Sequence, residues 1–227
     1  MTRRTNARLA GFTFLFYIAT GIPAMMLFGR ATSGEGTAAK LASVAGHATD
    51  LRVAVVLSLL GCFSALVLAV TLYAITREED RDLALLALTC RVGEGVLGAA
   101  GLQKTLGLLG LAAAGADSGA PDTAAANALG AFLLMPGSTI VALFFAVGST
   151  LYSYLFLRAR SIPVPLAWLG VLASVLLVAA LPLVLAGLLK GPATWYVWMP
   201  MLVFEIALAL WLLIKGVAPR ATPSGTA

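Results

Sequence analysis

The sequence predicts an all-α protein, a bundle of six transmembrane helices. Three observations carry that prediction. Only 11% of the 227 residues are charged while 60% are hydrophobic, against the roughly 25% charge of soluble domains. The mean hydropathy is +0.97. The apolar residues also fall into long runs parted by polar stretches, and about 20 apolar residues suffice to cross a hydrocarbon core of ~30 Å.

The spans are read in order. A basic tail, residues 1–8, precedes a first span over about 9–28. Its apolar run outlasts the ~7–15 residues of a signal-peptide core and continues through AMMLFG without a small-x-small cleavage site, so it reads as a retained span. A Gly/Ser/Thr-bearing stretch follows in the manner of a surface loop. Within it, residues 37–45 are suited to a short helix on the membrane surface. The second span covers about 53–75. The charged loop TREEDRD must meet water. The third span, about 83–115, is apolar yet carries Arg91 and Glu94. The loop ADSGAPDTAAA has Gly and Pro breakers and no basic residue. Spans four, five and six cover about 128–157, 165–189 and 196–214. Residues 9–216 thus form one transmembrane domain, and the polar, Pro/Gly-rich tail 217–227 reads as disordered. An acid in the third span and another in the sixth are the only hint of a three-plus-three inverted repeat.

Orientation follows from basic residues in short loops, which favour the cytoplasmic side. With the N-terminus inside, that side holds Arg3, Arg4, Arg8, Arg77, Arg81, Arg158, Arg160, Lys215 and Arg220. The outer side holds Arg30, Lys40, Arg52 and Lys190. Nine against four puts both termini in the cytoplasm, and the expected location is the plasma membrane. The formal net charge of +5 does not indicate nucleic acid, because the basic residues sit mostly at span ends and form no single patch.

The residues that can carry chemistry lie inside the membrane. At 1.5 Å per residue, Arg91 and Glu94 sit roughly 12–17 Å into the third span, close to the midplane. Glu205 lies on the order of 14 Å into the sixth span, at a matching depth. Charges at that depth are costly and usually face protein or a water-filled cavity. Arg91 and Glu94 are three apart and share a helix face. Gly98, Gly101 and Thr105 are read as continuing that face, where small residues let a neighbouring backbone approach. One reading of the three charges is a structural ion pair or triad that pins two helices. The other is a polar site that binds an anionic group or carries a proton during transport.

Other features are weaker. His47, Asp50 and Arg52 cluster where the first outer loop meets the second span, as candidates for an outer mouth, but Asp50 reads first as a cap and early-turn acid and Arg52 as an interfacial anchor. Pro23, Pro136, Pro182 and Pro200 fall in outer halves of spans. They either splay the bundle outward by kinking or are ordinary prolines near helix ends. Trp168, Trp195, Trp198 and Trp211 lie mostly near span ends, as an aromatic belt would. Cys62 and Cys90 sit in apolar runs and read as packing residues. No metal site, catalytic constellation or cofactor is expected, since the only histidine lies in a loop. GEGVLG within the third span is no dinucleotide fingerprint, because no strand precedes it.

The segments ARLAGFTFLFYIATGI, RVGEGVLG and FEIALALWLLIKGV, in that order and spacing, resemble the bacterial multi-pass membrane family known as a domain of unknown function, DUF4386. The resemblance covers about residues 8–217. It implies six spans, an Arg and a Glu in the third span, met by Arg91 and Glu94, and a Glu early in the last, met by Glu205. It implies no activity. From the three intramembrane charges, the expected function is a small transporter or permease-like protein, with the lipid bilayer as partner and a small-molecule or ion ligand at those charges. The alternative is a non-catalytic structural, partner or sensor protein. An intramembrane enzyme working through Glu94 and Glu205 is a weaker third.

Overall fold

The structure, a computed structural model, describes residues 1–114, 123–135 and 137–218. The acidic loop, Pro136 and most of the C-terminal tail lie outside the described residues. Within them the chain is helical and has no strand. The order is α1 (Arg3–Ala31), α2 (Gly36–Gly46), α3 (Ala48–Thr76), α4 (Arg81–Ala114), α5 (Thr123–Leu133), α6 (Ser138–Arg158), α7 (Val164–Leu185), α8 (Ala193–Tyr196) and α9 (Met199–Ile214). Six helical segments are long and apolar enough to cross a membrane: α1, α3, α4, the 139–158 stretch of α6, α7, and α8 running on into α9.

Helix is the only open segment that can cross hydrocarbon, because it satisfies every interior backbone group within itself. Side-chain hydroxyls follow the same rule. Thr13, Ser64, Thr71, Thr150 and Ser174 each donate to the carbonyl four residues back, at 2.7–2.8 Å. The outward faces are apolar, as at Val53, Val56, Phe63 and Val70 on α3 and Leu172 and Leu176 on α7. Contiguous apolar surface of this kind suits lipid and not water.

Three boundaries differ from the sequence reading. Helix α1 begins at Arg3, so most of the basic tail is helical. Arg3 there donates through Nε and Nη2 to the Ile75 carbonyl, at 3.3 and 3.2 Å, satisfying a carbonyl at the C-terminal end of α3. The fourth span, read as 128–157, is covered by two helices, α5 ending at Leu133 and α6 beginning at Ser138. A proline in that interval has no N–H to give and disfavours helix at the residue before it. The fifth span stops at Leu185 and not at 189. Gly187 adopts φ +72°, and the Gly187 and Leu188 amides turn back to the Val184 and Leu183 carbonyls. That is a glycine-terminated helix end.

The packing falls into two compact units. The first comprises residues 1–15, 65–94 and 139–227. Its core is built from Phe14, Leu68, Leu72, Phe145, Tyr152, Phe156, Leu177, Phe204, Leu208 and their neighbours. Here α7 packs on α9, and α1 meets α9 so closely that a Cβ on Gly11 would stand 2.6 Å from the Ala209 carbonyl oxygen and 2.7 Å from the Leu213 nitrogen. Asp80 caps α4 by accepting the Leu83 N–H at 3.1 Å. Arg158 at the end of α6 pairs with both Glu79 and Asp80 at 3.1 Å. The second unit comprises residues 16–64 and 95–138. Its small core is Ala31, Val44, Leu51 and Leu108. Helix α2, expected over 37–45, is present there and packs on α5, where Gly130 faces Leu41 and Thr37.

Two outcomes follow for stability. Gly11→Ala pushes a methyl into α9 backbone and should cost about 1–3 kcal/mol, the usual range for overpacking. Gly21→Ala has open space around it and should cost nothing; thermal melts in mild detergent compare the two. Asp80→Ala loses the cap and should cost about 1 kcal/mol. Asp80→Asn keeps the cap, loses only a half-exposed pair, and should cost less than that in the same melts.

Candidate functional site

The three predicted intramembrane charges all lie in the first unit and all are buried. Arg91 projects from α4 and is 1% exposed; one turn on, Glu94 is 4% exposed. Arg91 Nη1 donates to Glu94 Oε2 at 2.7 Å, the short distance of a charge-assisted bond. The Arg91 guanidinium also lies over the Phe145 ring, 4.8 Å from its centroid, and over Phe14 at 5.8 Å. Aromatic faces attract cations, more strongly where water is absent. The arginine stem has room because α6 presents Gly148, where a Cβ would stand 3.2 Å from Arg91 Cγ.

Glu205 projects from α9 and is 6% exposed. It lines a cavity of ≈ 10 Å³ together with Arg91, Ser149, Tyr152 and Ser153, closed on its apolar sides by Phe14, Leu72, Phe156, Phe204 and Leu208. That volume is room for roughly one water molecule. Among the described residues Glu205 Oε1 has no hydrogen-bond partner. Tyr152 spends its proton elsewhere, donating to the Ala69 carbonyl of α3 at 3.0 Å. Gly170 of α7 permits the wall to close, since a Cβ there would come 2.6 Å from Ser153 Oγ and into the Phe204 ring.

So the structure brings Arg91 and Glu94 together as a pair and Arg91 and Glu205 onto one cavity. It adds Ser149, Tyr152 and Ser153, which the sequence reading passed over. Their signal was the polar run GSTLYSY inside an otherwise apolar span, with spacings of three and four that place three polar residues on one helix face. The expected extension of the charged face through Gly98, Gly101 and Thr105 fails at Gly101, which is exposed and has nothing within 4 Å of a Cβ position. Ten residues at 3.6 per turn carry position 101 about 80° round from Arg91. The glycines that admit neighbours beside the charges are Gly93, facing Phe144, and Gly148.

The outer-mouth candidates belong to the second unit and do not converge on a site. His47 ends α2, with Nδ1 3.0 Å from the Ser43 carbonyl. Asp50 stands in the first turn of α3 and pairs with Arg30 at 3.6 Å. Arg52 is exposed. Pro200 occupies the first turn of α9, where proline is tolerated without a kink, while Pro23 and Pro182 lie inside α1 and α7. Trp168 and Trp195 are exposed, and Trp198 packs on Phe145 at 5.9 Å.

Apolar helices of spanning length, closed around a buried ion pair and a second buried acid, define a membrane-embedded helical bundle with a built polar interior. The chain belongs to the DUF4386 family, a domain of unknown function, whose model matches residues 9–216. Comparison with curated proteins and with solved structures gave no match.

Substitutions separate the roles of the charges. Arg91→Met orphans a buried carboxylate and should lower stability by about 3–5 kcal/mol. Adding Glu94→Gln should recover most of that loss. Glu205→Gln keeps the shape and loses no visible hydrogen bond at Oε1, so its melt in mild detergent should stay within about 1 kcal/mol of wild type, the range of a shape-conserving change.

Proposed function

We propose that this protein is a small transporter of permease type, with Arg91, Glu94 and Glu205 as its intramembrane ligand site. The observation that carries the reading is Glu205: a buried carboxyl with an unpartnered oxygen, on a residue that lines a small cavity together with Arg91, Ser149, Tyr152 and Ser153. A purely structural acid would be expected to have its acceptors filled, since an unmet buried acceptor costs about 1–3 kcal/mol. A cavity for one water holds no organic solute, so in this reading the conformation is occluded and the helices must part to load. The proposal extends to a plasma-membrane location with both termini cytoplasmic, supported by the distribution of basic residues, and to a protein that does no covalent chemistry, since the histidine that acid–base or nucleophilic schemes would recruit is held at the end of α2.

A second reading is favoured by one observation of its own. The Arg91–Glu94 pair is short, and two aromatic rings flank it, as befits a fixed structural element in a non-transporting partner or sensor protein. A thermal-shift panel of small organic anions, organic cations and monovalent metal ions distinguishes the two. On the transport reading at least one class raises the melting temperature of wild type and fails to raise that of Glu205→Gln. A ligand at 100 times its Kd stabilises by about 2.7 kcal/mol, well above detection. The hit should then be taken up into proteoliposomes when a pH gradient is imposed. A silent panel favours the structural reading.

A further inference from the structure

We infer that Glu205 is a proton-binding site, protonated in this conformation, and that Arg91 is the counterion of whichever of the two acids is ionised. This deepens the transport reading by naming the proton as a ligand of the same site, yet its test needs no transported solute.

The charged side chains buried in this unit besides Glu205 are Arg91 and Glu94, both from α4. Helix α6 contributes the Tyr152 phenol, and α1 and α3 contribute only Phe14 and Leu72 to the cavity. One guanidinium and two carboxyls are neutral together when one proton is bound. A net charge left in this apolar interior is strongly disfavoured. Arg91 is engaged by Glu94 at 2.7 Å, so the proton belongs on Glu205. The unpartnered Oε1 agrees, since an ionised carboxylate is the form that most needs donors. The adjacent cavity has room for about one water, and Ser149, Tyr152 and Ser153 are among the residues that line it, so polar groups are at hand to hold that water. That water is the first acceptor when the Glu205 O–H bond breaks. The proton leaves for solvent only when the site opens to water, which then solvates the second carboxylate that this conformation cannot hold.

Infrared spectroscopy of the purified full chain in an ester-free detergent tests this at neutral pH. Exposed carboxyls are ionised there, so a carboxylic-acid carbonyl band reports a buried acid. Wild type should show one such band, and Glu205→Gln should lose it. Glu94→Gln should lose it as well, although Glu205 is still present, because Arg91 then takes Glu205 as its carboxylate. The double variant Arg91→Met/Glu94→Gln should regain the band. No band in wild type, a band unchanged in Glu205→Gln, or one that persists in Glu94→Gln each overturns the inference. If Glu94→Gln does not fold, wild type, Glu205→Gln and the double variant decide alone. The expected bands with a silent ligand panel would leave the proton site standing and remove the transport reading.

Discussion

The Arg91–Glu94 ion pair sets the terms for the helices around it. A guanidinium buried to 1% exposure among apolar helices is tolerable only if its charge is met at close range. The partner sits one turn away on the same helix, so α4 is self-neutralising at that level. The neighbours then complete the solvation. Phe14 and Phe145 present ring faces, and Gly148 yields the space that a larger residue would take from the arginine stem. Glu205 is the group that this arrangement does not absorb, and for that reason it is the point at which the bundle departs from simple packing.

Association of such helices cannot rely on the hydrophobic effect, because lipid tails are as apolar as leucine. The contacts seen are those that work in its absence. Helix α1 meets α9 backbone to backbone at Gly11, and α7 admits Ser153 and Phe204 at Gly170. One long-range hydrogen bond, Tyr152 to the Ala69 carbonyl, ties α6 to α3. The charged residues outside the hydrocarbon work at helix ends instead, where Arg3, Asp80 and Arg158 meet backbone groups and one another.

Much of this is legible in the sequence. Six long apolar runs contain the spanning helices, because hydropathy over about 20 residues reports directly on bilayer thickness. Arg91, Glu94 and Glu205 stood out because charge in an apolar run is rare and expensive. What stayed hidden depends on rotation and on local termination. The polar side chains of α6 look like minor interruptions until helical phase stacks them on one face. Gly101 has the small size of a contact residue, but its angular position turns it away from the charges. The break between α5 and α6 was masked by apolar residues on both sides of a proline. The division into two compact units is a property of contacts between distant segments, which no single window of sequence reports.

The approach of α1 to α9 at Gly11 has a consequence for biogenesis. These partners come from the first and last of the six spanning segments, so the contact cannot form until the final segment has entered the bilayer. The α4 segment can enter earlier with its arginine already neutralised by Glu94. Glu205 has no such companion on α9, and it arrives at a cavity whose other walls are in place. Assembly therefore delays the carriage of an unmatched acid until there is a protein interior to receive it.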